Sequence, residues 1–183
     1  ILPVFWVMLF VSFSSGVVIT LLPDISKNIG WHNKGLYFTI YTIASILVRI
    51  FFSKTSDQYG RIPVLIVSSI ILAASMGVML IQLNTYTVIL SAVLFGFSWG
   101  FNTPTLAAWT TDLANKNHMG RAMATMYIAL EVGIGLGAFF AGMIYKGLQE
   151  RIPVPFAISS ILAIIAFFLL LNYHKNWGFV LSL

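Results

Sequence analysis

Residues 154–171 run for about five helical turns without a charged side chain, and five further apolar runs precede them. Nothing else in the chain constrains its fold as strongly. A helix that crosses the hydrocarbon of a bilayer needs about 20 mostly apolar residues. The runs cover about residues 1–22, 35–52, 63–81, 85–110, 122–145 and 154–171, and turn and charge signals separate them. The first is expected to stop at Pro23-Asp24. A closed barrel is the other spanning solution, and it needs alternating segments of roughly ten residues. These runs are twice that length and do not alternate. The sequence therefore predicts an all-α membrane protein of six transmembrane helices.

Composition agrees. Only 8% of the residues are charged and 59% are hydrophobic, whereas a soluble domain carries roughly 25% charged residues to meet water. Cysteine is absent, which excludes disulfides, thiol catalysis and thiolate metal sites. The net charge of +5 is scattered, and without a basic cluster it points to neither nucleic acid nor a polybasic lipid patch. The opening run has no basic leader and continues past Ser14-Ser15-Gly16 without a cleavage site, so it reads as a span and not a signal peptide. The chain opens on Ile1, already apolar, and is expected to be cut off at one or both ends.

Charge alone does not orient the helices. With residue 1 inside, the inner connections hold Lys54, Arg61, Lys116, Arg121 and Lys175, and the outer ones hold Lys27, Lys34, Lys146 and Arg151. Five against four is a weak positive-inside bias. A short internal echo is more informative. Phe13-Ser14-Ser15-Gly16 in the first span returns as Phe97-Ser98-Trp99-Gly100 in the fourth, as expected of two inverted triplets of helices.

Between the second and third runs lies Ser53-Lys-Thr-Ser-Asp57-Gln-Tyr-Gly60-Arg61-Ile-Pro63-Val-Leu65. Gly60 permits a tight reversal, and Pro63 suits the first turn of the next helix. Asp57 can accept from helix-end amides, where negative charge is favoured. This loop resembles the signature loop of the major facilitator superfamily and sits where that family has it. It departs at Ser53, Gln58 and Ile62. The resemblance implies that Arg61 pairs with an acid at the inner end of the fourth span, here Asp112. Such a cluster would latch the inner helix ends and open and close during alternating access. The stretch from Asp112 to Gly120-Arg121-Ala122 is similar to the family's next inner loop, with Arg121 opening the fifth helix. Gly133-Ile-Gly135-Leu-Gly137-Ala138-Phe-Phe-Ala141-Gly142 resembles the glycine motif of the family's drug/proton antiporters. Ala138 and Ala141 depart from it, and the preferred reading is close helix packing. The position where many members carry a basic residue in the fourth span is Ala92. The resemblance covers the amino-terminal six-helix half of a twelve-helix body.

Ionisable side chains inside a bilayer are costly and are functional candidates by default. Glu131 lies nine residues into the fifth run, roughly 14 Å deep at 1.5 Å per residue, on a face shared with Tyr127, Gly135, Ala138 and Gly142. Burial favours the protonated form of a carboxyl, so Glu131 is a candidate carrier of a proton or binder of a cationic group. Arg49, near the inner end of the second run, is expected to snorkel to the interface, with an anionic solute as the alternative. Trp99, Asn102, Thr103 and Thr105 put aromatic and hydrogen-bonding groups into the fourth run, and Pro104 frees a carbonyl there. These, with Ser12, Ser14 and Ser15, are candidate cavity walls. Trp31 and Trp109 read as interface anchors.

An enzyme is not expected. A rhomboid-type protease needs a Gly-x-Ser-Gly nucleophile and an intramembrane His, and here His32, His118 and His174 fall in predicted loops. Metal ligands at usable spacing, paired Asn-Pro-Ala half-helices and a nucleotide-binding motif are all missing from the sequence. No cofactor is implied. The chain reads as half of a secondary transporter of the plasma or inner membrane. It would move a small solute by alternating access, with protons as a candidate coupling ion and a second six-helix half as its partner. The alternatives are a non-transporting scaffold and a truncated remnant.

Overall fold

The computed structural model describes the backbone of residues 1–52 and 54–178, and the side chains of 1–52 and 54–175. Ser53, the first residue of the signature loop, lies outside the described residues. Six long helices build the molecule: α1 Leu2–Asn28, α2 Leu36–Phe51, α4 Arg61–Val78, α5 Thr85–Leu113, α6 Met119–Tyr145 and α7 Pro153–Gly178. One short helical turn, α3 Thr55–Gln58, sits between α2 and α4. No strand occurs among the described residues.

Four helices, α1, α4, α6 and α7, are long and apolar enough to cross a bilayer. α2 is apolar but has 16 residues. α5 has 29 but is diluted by Ser91, Ser98, Asn102 and a run of threonines.

The helix ends explain themselves locally. α1 does not stop at Pro23-Asp24 as the sequence suggested; Pro23 lies inside it. Proline removes one backbone donor, but Leu21, Leu22, Ile25 and Ser26 are all buried, and that packing carries the helix on to Asn28. It is closed off at Gly30, φ +79°. Trp31 N–H donates to Ser26 O and Gly30 N–H to Lys27 O, the paired bonds that close a helix on a left-handed glycine. α5 starts on a reciprocal cap, in which Thr87 N–H donates to Asn84 Oδ1 at 3.0 Å and Asn84 N–H to Thr87 Oγ1 at 3.1 Å. α7 runs past the predicted end at 171, so His174 and Lys175 are helical.

The extensive pairings are α1 with α6 and α7, α5 with α2 and α4, and α4 with α7. Exchanging α1, α2, α4 for α5, α6, α7 maps this set onto itself, as two inverted triplets require. The echoed glycines sit at equivalent crossings. A Cβ on Gly16 would strike the α6 backbone at Ile134 and Ala138, and one on Gly100 would lie 2.9 Å from Val48 of α2. Gly96 packs in the same way on Tyr41, while Gly133 and Gly137 lie on the carbonyls of Leu9 and Phe13. Small residues let helices approach where lipid gives no hydrophobic drive to associate.

Candidate functional site

At one end of the bundle the signature loop closes an ion-pair cluster. Gly60 takes φ +90° and places Arg61 at the first position of α4. Arg61 Nε donates to Asp112 Oδ2 at 3.0 Å, at the end of α5. Its Nη1 donates to Ser56 Oγ at 2.9 Å and to the Asp57 carboxylate. Asp57 therefore takes a guanidinium, not helix-end amides. Two carboxylates and a hydroxyl on one guanidinium tie α3, α4 and α5 together, and charge-assisted bonds of this kind are the strong ones. Ser56 is the one member of the cluster that the sequence did not single out; its position beside Asp57 was the available signal. Arg121 stands at the start of α6, exposed, and makes no ion pair among the described residues.

Glu131 is the thirteenth of the 27 residues of α6. Of the five acidic residues in the chain only this one lies midway along a helix. Glu131 and Tyr127 are exposed on the bundle's flank, and nothing stands within 4 Å of a Cβ on Gly135 or Gly142. The strip is open, whereas Gly133 and Gly137 on the opposite side of α6 are packed on α1. The carboxylate has no ion pair or hydrogen bond among the described residues.

Arg49 and Trp99 meet in a different place. They line one cleft between α2 and α5 with Tyr41, Thr42 and Ser45. The indole of Trp99 stacks on Phe95, centroids 5.9 Å apart and planes at 13°. α2 and α6 do not form one of the extensive pairings, so Arg49 and Glu131 belong to separate faces.

Other candidates turn inward. Asn102 is 1% exposed. Its Oδ1 accepts from Ser68 Oγ at 2.8 Å and its Nδ2 donates to Ser98 Oγ at 2.9 Å, while Ser98 donates to Ser68 O. This amide is buried and fastens α4 to α5, so it faces a neighbouring helix where a solute-binding wall was expected. Ser12, Ser14 and Ser15 are likewise buried in the bundle. Trp109 is 4% exposed and packs edge-on against Tyr173 at 5.2 Å, an inner strut where an interface anchor was expected. His174 lies beside Gly60, Arg61 and Pro63 at the foot of α7. A second buried network was not foreseen: Ser75 Oγ donates to Ser91 O at 2.9 Å, and Tyr37 Oη lies 3.3 Å from Ser91 Oγ. Among the described residues there is no group of metal-binding side chains.

The sequence profile of the Major Facilitator Superfamily matches residues 4–180. The chain belongs to this superfamily. That superfamily is one of membrane transporters. It is 26% identical over 167 residues to Multidrug resistance protein 2 of Bacillus subtilis, a match covering 86% of this chain and 40% of that protein. It is 24% identical over 174 residues to the multi-drug resistance efflux pump PmrA homolog of Lactococcus lactis, covering 92% and 42%. The staphylopine export protein of Staphylococcus aureus matches at 24% over 142 residues, covering 75% and 36%. The chain thus spans about two-fifths of the length of these curated relatives.

Proposed function

We propose that this chain is the amino-terminal bundle of a secondary transporter that exports a small organic solute by alternating access. Glu131 would bind the coupling proton or a cationic group of the solute. The observation that carries this reading is the open strip of α6, where a lone carboxylate stands at mid-helix beside Tyr127 and two unshielded glycines. An ionisable group at that depth is retained at a cost and faces water or a partner, not lipid. Two of the relatives are named for multidrug efflux and for staphylopine export, and export is the direction they suggest here. Six spans, the plasma or inner membrane and a second six-helix bundle across the α2 and α6 faces belong to the same proposal. The cluster of Arg61, Asp57 and Asp112 would hold the inner ends closed in one state and part in the other.

The test is export of a fluorescent cation from cells making the full-length protein. Glu131→Gln is expected to abolish the pH dependence of export. Normal export with unchanged pH dependence would overturn the role of Glu131. A protein that moves no solute yet still captures a membrane partner would mark it as a scaffold.

A further inference from the structure

Arg49 is left out of every compensation the bundle offers. It sits in the last turn of α2, exposed, with no ion pair and no side-chain hydrogen bond among the described residues. The two acids at the inner end, Asp57 and Asp112, are both engaged by Arg61, and Glu131 is on another face. Beside the Trp99 cleft, Arg49 also borders a second cleft of ≈ 230 Å³, formed with Phe52, Ser56, Gly100, Phe101, Pro104 and Thr105. Its walls are of three kinds. Phe52 and Phe101 make an apolar side, with ring centroids 5.8 Å apart. Ser56 and Thr105 bring hydroxyls. Pro104 has no N–H, which leaves the carbonyl of Gly100 without its helical donor. The Ser56 hydroxyl on this wall is the one that accepts from Arg61, so anything seated here lies one side chain away from the ion-pair cluster.

We propose that the cleft between the inner ends of α2 and α5 binds a phosphate or carboxylate anion through Arg49. Guanidinium is the side chain best matched to such groups, because its fork of donors meets two oxygens at once. The apolar wall of Phe52 and Phe101 takes the carbon chain that carries the anion. A phospholipid headgroup and a free anion share this chemistry. The proposal does not depend on the role of Glu131.

The purified chain in a neutral detergent is titrated with phosphatidylglycerol, with phosphatidylcholine, and with inorganic phosphate. Bound molecules are counted by native mass spectrometry, and thermal unfolding is followed in parallel. The wild-type chain is expected to retain phosphatidylglycerol or phosphate in preference to phosphatidylcholine. Arg49→Ala is expected to weaken retention about tenfold, the worth of a charge-assisted hydrogen bond. Arg49→Lys should fall between the two, and Lys27→Ala at the outer end should bind as wild type. Retention of phosphatidylglycerol alone assigns a lipid headgroup, and retention of phosphate as well assigns a free anion. Wild-type retention by Arg49→Ala overturns the proposal, as does a wild-type chain that prefers neither anion. Should Arg49→Ala fail to elute as a folded species, Arg49→Gln carries the same expectation.

Discussion

At Arg61 a single guanidinium serves Ser56, Asp57 and Asp112, and the three partners come from α3 and α5. The Asp112 carboxylate is half-exposed, and exposed ion pairs contribute about 1 kcal/mol or less. Asp112→Asn is therefore expected to lower the thermal midpoint only slightly while changing transport rate, a split read by unfolding and flux measured on one preparation. Asn102 predicts the reverse. Its amide is buried, accepting from Ser68 of α4 and donating to Ser98 of its own helix, so Asn102→Ala should cost about 1 kcal/mol in detergent unfolding and leave solute affinity unchanged. The two residues also separate what was legible from what was not. The Arg61–Asp112 pairing could be expected because the loop's resemblance to the family's signature implies an acid at the end of the fourth span. Asn102 could not be placed, because an amide in an apolar helix gives no sign of whether a serine or a cavity stands opposite.

For the elements, close approach decides the packing. α1 and α6 meet with Gly16, Gly133 and Gly137 at the crossing, where an added side chain meets backbone that cannot move aside. Gly137→Leu is expected to destabilise by more than about 3 kcal/mol, above the usual cost of overpacking a core, and to shift the chain into aggregates on size-exclusion chromatography. Gly142→Leu, five residues along the same helix and facing open space, should elute as wild type. The existence and order of the helices could be read directly from the apolar runs. Their ends were less legible where tertiary burial extends a helix beyond its local signals, as in α1 through Pro23 and α7 through His174.

Across the whole molecule, the pairing of α1 with α6 and α7 mirrors that of α5 with α2 and α4. At the end opposite the signature loop this brings the connection after α6 against the end of α1, where Gln149 Nε2 donates to Asn28 Oδ1 at 2.8 Å. The chain has no cysteine, so introduced thiols report without background. Asn28→Cys with Gln149→Cys is expected to be joined by a short bifunctional thiol reagent, detected as a mobility shift after proteolysis between the two sites. Either substitution alone should give no joined product, and a double variant that stays unjoined would contradict the α1–α6 packing.

The sequence by itself determined that this chain is helical, that it belongs in lipid, and where its charged loop reverses. Those properties are local: the length of an apolar run, the place of a proline or glycine, and the spacing of charges within one connection. Tertiary structure alone decided which way side chains face. It turned Asn102, Trp109 and Ser12 into the bundle, set Glu131 on an open strip, and left Arg49 beside a cleft. A helix apolar on all sides carries no periodic mark of its inner face, so that choice waits on the helices packed around it.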